Sequence, residues 1–264
     1  MRILIFLFCI IISAFSCLNQ LDLNGVFDEK IIIEGRILKG EKAQVIITKS
    51  ISKTDDNLFP IISDAIVTLS SNDLTEQLNY VGDGRYESAE IIGSIGQTYN
   101  ITVALGGESY IAKSTMPEQG VWIDSLGFPE PIEFDTSNFV PTLAIQPFLQ
   151  NTSKNTNFGF LRLHINDSLV NNPQYLFFND RFRNTDFSWT KDTVFQGANL
   201  VVQLFQTDSI INEYFYEVNR LNEQINLVGL TIAPPTDLKG NFNNGALGYF
   251  GAMIREEKSK ILGN

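Results

Sequence analysis

Histidine occurs once and cysteine twice in this chain of 264 residues, and these two scarcities exclude much of the usual catalytic repertoire. With His164 alone, a metal centre built on several imidazoles cannot form. A serine triad would have to recruit that one side chain, and no Gly-x-Ser-x-Gly turn stands near it. Cys9 lies inside an apolar leader and Cys17 at its end. Cleavage before Cys17 therefore leaves a single thiol, with no disulfide and no thiolate metal site. Basic residues are also short: 19 Lys and Arg against 30 Asp and Glu give a net charge of −11. No Lys/Arg cluster offers the basic face that a phosphodiester backbone needs, so nucleic acid is excluded as a partner. The acidic balance reads as a solvated surface. With 44% hydrophobic residues the chain can bury a sizeable core, divided into one or two domains.

Long apolar runs are missing too. Met1-Arg2 followed by Ile3 to Ile12 is too short to cross a hydrocarbon layer of ~30 Å as a helix. The segment instead fits an export signal. Ser13-Ala14-Phe15-Ser16 then leads to Cys17, with Ala14 and Phe15 in place of the Leu and small residue usual before a lipoprotein cleavage site. Residues 1–16 are accordingly read as a signal peptide, Cys17 as the lipid attachment site, and residues 17–28 as a lipidated tether. The rival reading is an ordinary secretory signal cut nearby. Three acyl chains would hold the protein far more firmly than one, at about 0.8 kcal/mol per buried CH₂.

From Ile31 the pattern is β. Ile31–Ile37, Ala43–Thr48 and Ala65–Leu69 are short, β-branched runs bounded by polar residues or Gly. Gly82-Asp83-Gly84 and Gly106-Gly107 are hairpin signals between further runs. The expected fold is mainly β: an immunoglobulin/transthyretin-like sandwich over residues 29–117, then a β-rich domain over 118–264 with one long helix. In the second domain Leu161, Leu163 and Ile165 share one strand face, and Arg162, His164 and Asn166 the other. Apolar residues from Ile210 to Ile225 recur at helical spacing and predict a helix over 209–227, capped by Asp208 or Ser209. The Gly240–Gly245 segment reads as a turn. A last strand is expected over Ala246–Ile254, followed by a frayed, charged tail.

The constellations that could carry chemistry are weak. Glu130, Glu133 and Asp135 could supply the two carboxylates of a glycoside hydrolase, but nothing in their spacing selects a pair. Asn179, Asp180, Asn184 and Asp186 lack the Gly and terminal Glu of a calcium loop. Gly240–Gly245 lacks the Gly-Lys-Ser/Thr ending of a phosphate loop. No catalytic residue, metal site or cofactor is assigned. The aromatic stretch containing Tyr175, Phe177, Phe178, Phe182, Phe187 and Trp189 is a sugar- or protein-binding surface if exposed and core if buried. Tyr175 and Trp189 are its candidate ligand-binding residues.

Several motifs occur together: Ile31-Ile32-Ile33-Glu34-Gly35, Asp64–Leu69, Asp208-Ser209 opening an aromatic helix, Ala233-Pro234-Pro235, Gly240-Asn241, and Gly245-Ala246-Leu247-Gly248-Tyr249-Phe250. In this combination, across nearly all the mature chain, the sequence resembles a Bacteroidota outer-membrane lipoprotein family catalogued as domain of unknown function 4249. The resemblance implies an outer-membrane protein anchored by lipid at Cys17, often encoded beside TonB-dependent transporters, and it favours surface exposure. Of the acidic signal expected just after the cysteine, only Asp22 is present, with Asp28-Glu29 further on. The expected function is a non-catalytic accessory or binding subunit of such a β-barrel transporter. The alternatives are a solitary carbohydrate-binding or adhesion module and, behind it, a carboxylate-dependent hydrolase.

Overall fold

The computed structural model describes residues 29–51, 59–72, 74–128, 132, 139–151, 157–171, 174–179, 188–228, 238 and 240–263. Cys17 and its leader, Glu130, Glu133, Asp135, Asp180, Phe182, Asn184, Asp186, Phe187, Ala233, Pro234 and Pro235 lie outside them. Among the described residues the protein is mainly β, with sixteen strands and one helix.

The strands are β1 Ile31–Leu38, β2 Lys42–Lys49, β3 Ile66–Ser71, β4 Leu74–Gln77, β5 Asn79–Gly82, β6 Arg85–Ile92, β7 Thr98–Leu105 and β8 Glu108–Thr115. They continue as β9 Val121–Gly127, β10 Phe139–Asn151, β11 Phe158–Ile165, β12 Ser168–Leu169, β13 Leu176–Asn179, β14 Trp189–Phe195, β15 Asn199–Thr207 and β16 Leu247–Ile261. The helix, α1, is Ser209–Val228. Period-two burial drives the pairing: in β1, Ile33, Gly35 and Ile37 are buried while Glu34 and Arg36 are exposed. Asp83 and Gly84, at φ 51° and 72°, make the tight turn between β5 and β6.

One long sheet runs β12-β11-β15-β16-β1-β2-β6-β5, with β13 added beside β11. The sheet β4-β3-β7-β8 covers one end of it, enclosing Ile33, Val45, Val67, Ile101 and Phe250. The sheet β14-β10-β9 covers the other, enclosing Ile145, Leu161, Trp189, Val202 and Leu204. Two sandwiches therefore share a sheet. Met116 belongs to the first core and Val121 to the second, which places the change of core close to Pro117.

The sheet itself does not divide there. β16 pairs in parallel with β1 from Leu247 to Met253 and antiparallel with β15 from Ile254 to Ile261. Ala246, Phe250, Ala252 and Ile254 consequently complete the first core from the far end of the chain. The expected frayed tail is instead the second half of β16. Its charged residues are tolerated because both faces are exposed or half-buried there and most find polar partners: Arg255 pairs with Glu41 at 2.9 Å, Glu257 accepts a hydrogen bond from Gln203 at 2.7 Å, and Lys260 donates to the Leu126 carbonyl at 3.1 Å. The Gly240–Gly245 turn is also more than a turn. The carbonyl oxygens of Lys113 and Ser109 in β8 accept hydrogen bonds from Asn241 and Asn244 at 3.0 and 2.7 Å, and Asn243 accepts one from the Ile111 N–H at 2.6 Å. This asparagine clip satisfies backbone groups along the edge of a sheet, where unpaired groups otherwise invite association.

Gln206 fastens the junction between the sandwiches. Its Oε1 accepts from the Gly120 and Val121 N–H groups at 3.1 and 3.0 Å, and its Nε2 donates to the Val121 carbonyl at 2.8 Å, all in a buried setting. Gln206→Leu removes every partner and leaves two buried donors and an acceptor bare. We expect a loss of about 2–4 kcal/mol, read as a lower urea midpoint at unchanged slope.

Candidate functional site

α1 lies on the face of the long sheet opposite both covering sheets. The registers that set Glu34 against Tyr249 and Phe160 against Phe205 place these side chains, with Arg36, Arg162 and Met253, on that face. Asp208 anchors the helix there. Its Oδ1 caps the Ile211 N–H at 2.9 Å, and its Oδ2 accepts from the Ser114 hydroxyl at 2.6 Å. Ser114 Oγ in turn accepts from the Ala252 N–H at 2.9 Å. Cap, edge strand and central strand thus form one relay. Gly251 lets the helix approach, since a Cβ there would come within 3.2 Å of Ile211. Asp208→Ala should cost about 2 kcal/mol, the upper range for a lost N-cap, because it also strips Ser114 of its acceptor. Chemical denaturation measures that loss.

Beneath α1 the face opens into a cleft of about 230 Å³. Phe160 is the hub of its floor, with ring centroids of Phe215, Phe205 and Tyr175 at 4.7, 5.0 and 5.2 Å. Offset and edge-on contacts of this kind add about 0.5–1.5 kcal/mol each beyond area burial. Tyr175 is held against the helix by its N–H, which donates to Asn219 Oδ1 at 3.3 Å. Arg162 lies over the Tyr175 ring at 5.7 Å, within cation–π range. Glu34 and Arg36 supply the remaining charges of the lining.

Three phenols line the cleft: Tyr175, Tyr214 and Tyr249. Burial pushes the Tyr214 hydroxyl up to about 12, with the Glu34 carboxylate adding to the effect. Burial and then Glu34 raise Tyr249 as well. Burial raises Tyr175, opposed by Arg162 and assisted by Glu34. A low-dielectric setting disfavours the phenolate, so all three are neutral hydroxyls at physiological pH and available as hydrogen-bond donors.

The structure separates the two aromatic residues singled out in the sequence. Tyr175 is 7% exposed and lines the cleft. Trp189 is fully buried in the second core, packed with Ile145, Leu161 and Val202. A ligand therefore has no access to Trp189, and its assignment as a contact residue is corrected to a core role. Within β13 period-two alternation sorts the neighbouring aromatics: Phe177 packs toward α1, while Phe178 joins Trp189 in the second core. His164 sits near the end of β11 beside Val201, and its Nε2 is buried without a hydrogen-bond partner among the described residues. No group of three or more His, Cys, Asp or Glu residues placed to hold a metal occurs among the described residues.

Sequence reading missed Glu34, Arg36, Tyr214 and Tyr249 as site residues. Their only local signal is alternation within strands and helical spacing within α1. Nothing local brings residues 34 and 249 together.

A family model described as domain of unknown function DUF4249 matches residues 19–259. No curated protein matches the chain. Among solved structures, a crystal structure from Bacteroides uniformis, described as a candidate carbohydrate-binding protein, is 9% identical and is matched over 67% of this chain and 88% of that one. Its TM-score is 0.22, too low to bear on the cleft.

Proposed function

We propose, for a chain that belongs to the family of domain of unknown function 4249, a non-catalytic role. In this reading it is an outer-membrane protein anchored by lipid at Cys17, acting as a binding subunit with a TonB-dependent β-barrel transporter. The observation that carries the binding role is the cleft beneath α1, where charged groups and neutral phenols stand over an aromatic floor. Such a surface binds and orients: apolar walls with a few placed polar groups are the ordinary composition of a ligand site. The supports for the anchor are the apolar run ending at Cys17 and the absence of any second cysteine in the mature chain. No helix among the described residues is long and apolar enough to cross a membrane, and in this reading attachment comes from the acyl chains.

The anchor is tested by feeding cells a labelled palmitate analogue. Wild-type protein should carry the label and stay with the membranes, and Cys17→Ala should lose both. An unlabelled wild-type protein released by salt washing would overturn the anchored reading.

The same aromatic floor favours one second reading, a solitary surface carbohydrate-binding module in which Tyr175 contacts the sugar. Glycan-array binding that Tyr175→Ala abolishes would support it, and a blank array would remove it.

A further inference from the structure

Arg162 is a charge without a counterpart. It reaches the cleft from β11 with its Nε buried and lacking a hydrogen-bond partner among the described residues. No carboxylate among the described residues forms an ion pair with it; the ion pairs there involve Lys49, Arg220 and Arg255. Glu34 and Arg36, two residues apart on the same face of β1, offset one another in sum. Arg36 also donates to Gln44 at 3.3 Å. The lining is left with one net positive charge, and of its two arginines Arg162 is the half-buried one while Arg36 is exposed.

A partly desolvated guanidinium with no carboxylate partner is costly unless an anion neutralises it. With Nε shut off from solvent, the two terminal nitrogens are the fork that can meet both oxygens of a carboxylate. Size narrows the class further. A dry apolar cavity of about 150 Å³ accepts benzene, so a cleft of about 230 Å³ has room for one ring and a small substituent.

We propose that this cleft takes a small carboxylate borne on a single six-membered ring. The carboxylate sits on the terminal nitrogens of Arg162, and the ring packs against Phe160, Phe205 and Tyr249. The proposal rests on reading the cleft as a binding site. One negative charge matches the one uncompensated positive charge, and the neutral tyrosine hydroxyls are free to donate to ring substituents. An aromatic acid and a sugar acid share this chemistry.

The test is calorimetric titration of purified full-length protein in mild detergent with benzoate, galacturonate and the uncharged analogue benzamide. Saturable binding of either carboxylate, at least tenfold tighter than benzamide, is expected. Benzoate binding would identify an aromatic body and galacturonate binding a sugar body. Arg162→Gln should weaken the bound carboxylate by about tenfold or more and erase the preference over benzamide, with thermal melting confirming that the variant is folded. Arg162→Lys keeps the charge but loses the fork, and should weaken binding severalfold even if the Gln variant fails to fold. The proposal is overturned if neither carboxylate binds up to about 10 mM, if benzamide binds equally well, or if Arg162→Lys and Arg162→Gln both keep full affinity. The titration needs no transporter, so its failure leaves the partnership with a β-barrel standing, and loss of that partnership leaves the titration intact.

Discussion

Trp189→Ala should unfold at a temperature lower by roughly 10 °C, a loss of about 3–5 kcal/mol. The indole is fully buried among Ile145, Leu161, Leu163 and Val202, at the start of β14 where Trp189 opposes Ile145. Truncation removes its transfer energy and leaves a void that a sheet-on-sheet core fills only in part, because strand backbones on both sides fix the spacing. Differential scanning calorimetry of the purified protein measures the effect. An unchanged melting temperature would mean that Trp189 does not pack the second core.

Gly248→Ala should cost about 3 kcal/mol or more. Gly248 has a φ of 95°, a conformation that L side chains rarely adopt, and a Cβ there would lie 2.1 Å from the Ile33 carbonyl oxygen. That atom is backbone and cannot swing aside, so substitution forces β1 and β16 apart where they pair in parallel. Strain of 1–3 kcal/mol for the dihedral alone adds to the lost pairing. The damage should spread to the cleft, since Glu34 and Tyr249 flank this position in register. The variant is expected to show a lower urea midpoint and faster hydrogen exchange in both strands. Exchange unchanged in β1 would contradict this account of the seam.

How much of this was legible beforehand follows the range of each interaction. Strands β1, β2 and β3, the hairpin turns at Gly82-Asp83-Gly84 and Gly106-Gly107, and α1 all carry local signals. Alternation, positive-φ residues and helical spacing act within a few residues and can be read directly. The parallel pairing of Ile33 with Gly248 joins opposite ends of the chain and has no local signature. Reading Glu256 onward as a frayed tail failed for that reason: its charges sit on a paired strand whose two faces are both exposed or half-buried there. Alternation did place Arg162 on a face opposite Leu161 and Leu163. What covers that face, helix or water, depends on where α1 docks, and the Asp208–Ser114–Ala252 relay that docks it links three distant segments. Tyr175 and Trp189 looked alike in sequence because both are aromatic and close together. Tyr175 precedes β13 of the long sheet while Trp189 opens β14 of a covering sheet, and only the strand pairing fixes that separation.

The binding role is most directly tested by its partnership. Full-length protein carrying a C-terminal tag, beyond β16, should be isolated from native membranes in mild detergent and its companions quantified by mass spectrometry. The account predicts a β-barrel transporter of the TonB-dependent type in stoichiometric amount, retained through washing and absent from a mock preparation. A protein that reaches the membrane, remains folded and always purifies alone would contradict it.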